Sequence, residues 1–177
     1  MIGALRLGLP TRDRRVLEDL LLPYFAARPD VDHVLFVGCG WYTRSYAKMF
    51  EGKDYVTLDV DPAKRRHGAA RHVCDSLARL EAHFPADSLD LVVCNGVFGW
   101  GLDERTEVEA AFAACRACLR SGGMLVLGWN DIPARRPFPL GECEALKRFA
   151  RYTLPPLGKA TLETGTRNRH VFDFYVK

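Results

Sequence analysis

Hydrophobic residues recur along this chain in two alternating rhythms. Val16, Leu17, Leu20, Leu21, Tyr24 and Phe25 fall at helical spacing, and Pro10-Thr11 ahead of them make a helix start. His33 to Val37 (HVLFV) is a short apolar run stopped by Gly38, the pattern of a buried strand. A helix is expected from about Tyr42 to Phe50, then a second strand from Tyr55 to Val60, ended by Asp61-Pro62 and followed by a basic helix. A brief third strand, His72 to Cys74, precedes a helix from Leu77 to Phe84, and Leu89 to Cys94 reads as a fourth strand. Glu104 to Arg120 has the pattern of a long amphipathic helix, closed by Ser121-Gly122-Gly123 before a fifth strand, Met124 to Trp129. After a loop rich in Pro and Arg come a helix over about Glu142 to Tyr152 and two late strands, Thr161 to Thr164 and His170 to Val176.

Strands that alternate with helices need crossover connections, hence a mainly parallel sheet covered on both faces. The last two strands have no helix between them, so they pair as an antiparallel hairpin at the sheet's edge. The whole is a doubly wound α/β fold with a seven-stranded sheet. In such sheets ligands bind beyond the carboxyl ends of the strands, where the strand order reverses.

Composition changes this picture little. A chain of 177 residues, 48% hydrophobic and 27% charged, is one ordinary globular domain. No run approaches the roughly 18 apolar residues of a membrane span, and the N-terminal stretch lacks the apolar centre of a secretory signal. A cytoplasmic protein is expected. The net charge of +3 is mildly basic and its arginines are scattered among acids, so nucleic-acid binding is not indicated. Cys115 and Cys118 form a C-x-x-C inside the long helix with no second ligand pair, so neither redox nor zinc chemistry is expected there.

Chemistry gathers at the strand ends. Gly38-Cys39-Gly40 directly follows the first strand, where glycines let the chain turn sharply and approach a ligand without a Cβ. The dinucleotide-binding pattern is incomplete, because Thr43 stands where its third glycine belongs. Asp59 and Val60 end the second strand about twenty residues on, where a carboxylate accepts hydrogen bonds from ribose hydroxyls. Asp61 is better placed than Asp59 to cap the helix after it. Asp75 and Ser76 follow the third strand. Asp75 either accepts from an adenine amine or caps the next helix. Asn95-Gly96 ends the fourth strand and leads into the apolar, glycine-broken loop Val97-Phe98-Gly99-Trp100.

VLFVGCGWYTRSYAKMF, VTLDVDPAK, VCDSL, LDLVVCNGVFGW and LRSGGMLVLGWND together resemble the successive motifs of the class I S-adenosylmethionine (SAM)-dependent methyltransferases. The resemblance covers roughly residues 33 to 131 and implies a Rossmann-like single domain. Residues 1–30 would be an N-terminal arm and helix, 31–131 the cofactor-binding core, and 132–177 a C-terminal helix and strand pair. It implies SAM as cofactor and S-adenosyl-L-homocysteine (SAH) as product. Gly38, Cys39 and Gly40 would pass under the methionine part, Asp59 with Val60 would hold the ribose, Asp75 with Ser76 would meet the adenine, and Asn95 would lie near the methionine end. Two departures from the family pattern stand out. Phe36 replaces an acidic residue two positions before the first glycine, and Tyr42 replaces the usual third glycine.

The implied function is methyl transfer to a small-molecule acceptor. The alternatives are a nucleic-acid or protein methyltransferase, a binding-only protein of the same fold, and an NAD-dependent enzyme. No histidine among His33, His67, His72, His83 and His170 is expected at the site, and no catalytic residue or metal ligand is assigned. Asn130 and Asp131 lie on the correct edge of the sheet. Arg135 and Arg136, expected near the cofactor mouth, would suit an anionic acceptor.

Overall fold

The computed structural model describes residues 10–177, so residues 1–9 of the N-terminal arm lie outside the description. One sheet contains β1 (His33–Val37), β2 (Asp54–Asp59), β3 (Arg71–Cys74), β4 (Leu89–Asn95), β5 (Leu119–Asn130), β6 (Ala150–Arg151), β7 (Thr161–Glu163) and β8 (His170–Val176). The strand order is β3-β2-β1-β4-β5-β8-β6, with β7 also paired to β8. Strands β1 to β5 are mutually parallel, whereas β8 is antiparallel to β5, β6 and β7. This is the expected doubly wound fold, with a refinement at its closing edge. β8 is not the edge strand: it inserts beside β5, and the short β6 and β7 share its far side.

The period-two alternation of the strands divides the core by face. Leu35, Val37, Val56, Leu58, Val92, Cys94, Leu125 and Leu127 face the long helix Arg105–Cys118. Val34, Phe36, Tyr55, Leu91, Val93 and Val126 face the N-terminal helix, from which Leu17, Leu21, Leu22 and Phe25 point inward. That helix is one rod made of Arg12–Arg15, a π-helical Val16–Leu21 and Leu22–Ala26. Pro23, which has no N–H to donate to the preceding turn, stands two residues past the π segment.

The connections after β1, β2 and β3 are tighter than the pattern suggests. Trp41–Ser45, Pro62–His67 and Leu77–Ala82 are 3-10 helices, and only Tyr46–Met49 adds an α-helical turn. The expected helix over 142 to 152 also breaks up, into Leu140–Glu142, Glu144–Lys147 and the strand β6. The open side of β8 overrides helical propensity here. Ala150 and Arg151 extend to pair with Val176 and Tyr175, and the Arg151 guanidinium donates to the buried Asp173 carboxylate at 2.6 Å. The Ser121-Gly122-Gly123 turn is absorbed into β5 as an irregularity, with Gly122 at φ +76°.

β1 has β2 on one side and β4 on the other, so the strand order reverses between β1 and β4. The crevice above that reversal is where a ligand is expected.

Candidate cofactor cleft

A cleft of about 610 Å³ opens there, within the usual size of a small-molecule site. Gly38, Cys39, Gly40, Asp59, Val60, Asp75, Ser76 and Asn95 all line it. They come from the ends of four strands and are brought together by the sheet.

Gly38 is glycine for two reasons. Its φ of +92° lies in the region that side chains avoid, and a Cβ there would stand 2.7 Å from the Asn95 carbonyl oxygen. Its N–H donates to Leu58 O at 3.0 Å, which extends the β1–β2 ladder into the turn. Thr43, in place of the third glycine of a dinucleotide loop, is buried and ties the turn shut: its Oγ1 accepts from Gly40 N at 3.1 Å. Tyr42 packs on the same turn, so that a Cβ on Gly40 would lie 2.8 Å from its ring.

Asp59 reaches across from β2. One carboxylate oxygen accepts from Cys39 N at 2.7 Å and the other from Asp61 N at 2.9 Å. The side chain therefore braces the glycine turn while lining the cleft. Capping of Pro62–His67 falls to Asp61, whose carboxylate accepts from Ala63 N.

Asp75 stands between two readings in the sequence, and the capping one is ruled out by geometry. Ser76 caps Leu77–Ala82 by accepting from Ala78 N. Asp75 instead receives His83 Nε2 at 2.7 Å and Ser76 N at 2.8 Å. Hydrogen bonding from His83, then from the Ser76 N–H, holds its carboxyl below the usual carboxylate range.

Asn95 sits at the switch point. Its Oδ1 lies 3.2 Å from His170 Nε2, and the amide packs against Gly128, where a Cβ would fall 2.0 Å from Oδ1. Asn95 and Tyr42 also border a second cavity of about 60 Å³, shared with Asp13 and Arg14 of the N-terminal helix. Phe36 is fully buried, edge-on to Tyr46, and the Tyr46 hydroxyl donates to Glu18 at 2.8 Å. An aromatic pair thus occupies the space below the glycine turn, and the nearby carboxylate comes from the N-terminal helix.

No curated protein matches the chain in sequence. The family described as "Methyltransferase domain" matches it over residues 35–127, more than half its length. The chain belongs to that family. Among solved structures, N-methyltransferase NodS from Bradyrhizobium japonicum WM9 in complex with S-adenosyl-L-homocysteine is similar at TM-score 0.69 and 16% identity, covering 98% of this chain and 91% of that one. A TehB-like SAM-dependent methyltransferase from Corynebacterium glutamicum ATCC 13032 gives 0.63 and 18%, covering 94% of each chain. The Burkholderia thailandensis 1,6-didemethyltoxoflavin-N1-methyltransferase gives 0.56 and 16%, covering 93% and 82%. The resemblance drawn from the motifs is borne out, and the fold is that of the class I methyltransferases.

Within this methyltransferase domain, several expectations need correction. Three histidines thought remote reach the site: His67 lines the cleft, His83 binds Asp75 and His170 meets Asn95. None had a local signal, because each arrives through a contact remote in sequence or on a short turn. Asn130 and Asp131 are occupied structurally. Asn130 accepts from Trp100 Nε1, and Asp131 is paired with Arg136 at 2.6 Å and Arg169 at 2.8 Å. Arg136 is therefore neutralised, and Arg135 lies stacked on Trp100 with its guanidinium carbon 3.4 Å from the ring centroid. The cations that line the cleft are Lys64 and Arg66, on the turn after Asp59. Cys115 and Cys118 are free and buried on the long helix, and burial raises both thiols, Cys118 to about 11. No helix among the described residues is long and apolar enough to cross a membrane.

Proposed function

We propose that the chain is a SAM-dependent methyltransferase of a small-molecule acceptor, working in the cytoplasm. The observation that carries this reading is a cradle that a side chain would fill. Gly38, at positive φ and with no room for a Cβ, faces the Asn95 backbone, and the Asp59 carboxylate stands beside the turn in the same cleft. The residues present fit an adenosyl cofactor. Asp59 is oriented by two backbone N–H groups and retains lone pairs for ribose hydroxyls. Asp75, kept ionised by its partners, is an acceptor for an exocyclic amine. Gly38, Cys39 and Gly40 offer backbone to the methionine part, Val60 and Ser76 flank the adenosyl end, and Asn95 stands at the other.

When bound, the cofactor supplies an electrophilic methyl on a sulfonium. The chain's own work is then orientation and exclusion of water, which account for much of the acceleration in such a transfer. Asn95 is fixed by His170 and Gly128, so its amide cannot rotate freely at the reactive end. No side chain is assigned as general base. Arg136 is paired with Asp131 and Arg135 lies behind Trp100, so a preference for an anionic acceptor rests on the Trp100–Arg135 stack rather than on a free arginine.

A binding-only protein is the second reading, favoured by the Tyr42 ring packed on Gly40. Calorimetric titration with SAM, SAH and NAD decides between these readings. Micromolar binding of SAM and SAH, with none for NAD, is expected. Binding of NAD alone would sink the assignment, and SAH binding without turnover on any acceptor panel would select the second reading.

A further inference from the structure

Trp41, Val60 and Trp100 are the large hydrophobic residues left exposed among the described residues, at 56%, 67% and 50%. All three line the mouth of the cleft. Single exposed apolar residues need no explanation, but convergence on one rim marks a binding surface. Val60 belongs with the strand-end set already assigned to the cofactor. The two indoles do not.

Trp100 is held in place without a ligand. Its indole N–H donates to Asn130 Oδ1 at 3.0 Å, and one ring face is covered by the Arg135 guanidinium at 3.4 Å. Arg135 is locked in turn, because its Nη1 donates to Gly99 O at 3.3 Å. Gly99 has φ +79°, and a Cβ there would stand 1.9 Å from Arg135 O. A flat apolar surface is thus fixed in advance, and a ligand stacking on it loses little conformational freedom in the protein.

Asp59, Asp61, Asp75 and Glu107 also line the cleft, and at the Trp100 face the cation behind the ring acts against their pull on a positive ligand. An indole attracts cations through the negative face of its π system, and Arg135 already uses that attraction. A second cation on the open face would meet the guanidinium's field across the ring, whereas an anionic flat ligand is drawn by that field and a neutral one is not repelled. The arrangement recurs at Trp41, where the Arg14 guanidinium lies 5.3 Å from the indole and 4.3 Å from the adjoining Tyr42 ring. We propose, building on the methyltransferase reading, that Trp100 is a specificity-determining platform for a flat aromatic acceptor without positive charge.

The test uses four probes on the full chain, with and without saturating SAH: quinoline, quinoline-2-carboxylate, N-methylquinolinium and cyclohexanecarboxylate. Binding is read by ligand-observed NMR, and SAH affinity is measured by calorimetry on every variant. Quinoline and its carboxylate are expected to bind at least fivefold more tightly than the other two. Trp100→Ala should abolish that preference and leave SAH affinity within threefold. Arg135→Met, which keeps the indole, should narrow the gap between the carboxylate and N-methylquinolinium, and serves if Trp100→Ala does not fold. Equal binding of cyclohexanecarboxylate, or a preference unchanged in both variants, overturns the proposal. So does a matching loss of SAH affinity in Trp100→Ala, which would assign the indole to the cofactor. Failure of the wild-type protein to bind SAH would count against the methyltransferase reading instead, and the probes without SAH still test the platform.

Discussion

The two walls of the cleft are built by different means. The wall proposed to hold the cofactor is made of strand ends: Gly38 and Asp75 directly follow their strands, Asp59 ends its own, and neighbouring strands set the spacing between them. The rim wall is a clasp between the loop after β4 and the segment after β5, closed by Trp100, Arg135 and Asn130. The first wall has the rigidity of hydrogen-bonded ladders. The second has a few side-chain contacts whose partners lie thirty or more residues apart. A common ligand chemistry can rely on the former, while a particular acceptor is accommodated by changing the latter.

The comparison breaks outright if the sheet that supports both walls is lost. Removing residues 169–177 deletes β8, with Phe172 and Phe174 each 1% exposed and the whole pairing to β5. Burial of two such side chains contributes several kcal/mol, roughly the net stability of a small domain. The truncated chain is expected to be insoluble or molten, with no cooperative melting transition. A soluble truncation that still binds SAH would show that β8 is dispensable.

Asp59→Ala should strike the cofactor wall alone. Losing charge-assisted bonds costs roughly 1.5–3 kcal/mol, or about ten- to a hundredfold in SAH affinity by calorimetry. The loss of its bonds to Cys39 N and Asp61 N loosens the turn as well, so Asp59→Asn should lie between wild type and alanine. Unchanged affinity in a folded Asp59→Ala variant would reduce Asp59 to a brace for the turn.

A matched pair of glycine substitutions sharpens the contrast. Gly38 and Gly99 both have positive φ and both lack room for a Cβ. Alanine at either should destabilise the fold by about 1–3 kcal/mol, seen as a lower midpoint in urea. Their effects on binding should separate: Gly38→Ala weakens SAH, while Gly99→Ala leaves SAH affinity intact and frees the Trp100–Arg135 stack. Equal loss of SAH affinity in both would mean that the two walls are one site.

The smallest effect expected is on pH dependence. Burial holds the His170 imidazole below its ordinary value, with Asp13 opposing. A histidine depressed in the fold favours the neutral form, so its contribution is present above the unfolded pKa of about 6.5 and is lost as pH falls through the folded one. The melting temperature should therefore drop from pH 7.5 to 5.5, and His170→Gln should flatten that slope. His72 is depressed in the same direction, again by burial, and leaves a residual slope in the variant. An identical slope in both proteins would show that His170 is not the titrating group.

Read from the sequence alone, the gathering of Gly38, Asp59, Asp75 and Asn95 at one cleft was legible because its information is local. An apolar run stopped by glycine, or an acidic residue at a strand's last position, places a group at the carboxyl edge of the sheet whatever the rest of the chain does. Only the tertiary structure decided the partners. His83 on Asp75, His170 on Asn95, and Arg135 on Trp100 join residues 8, 75 and 35 positions apart, and no period in the chain links them. β6 escaped for the same reason: Ala150 and Arg151 continue a helical pattern, and they extend because β8 offers an open edge. Propensity is a property of a segment, whereas an unpaired strand edge, or a ring face waiting for a cation, exists only once the chain has folded.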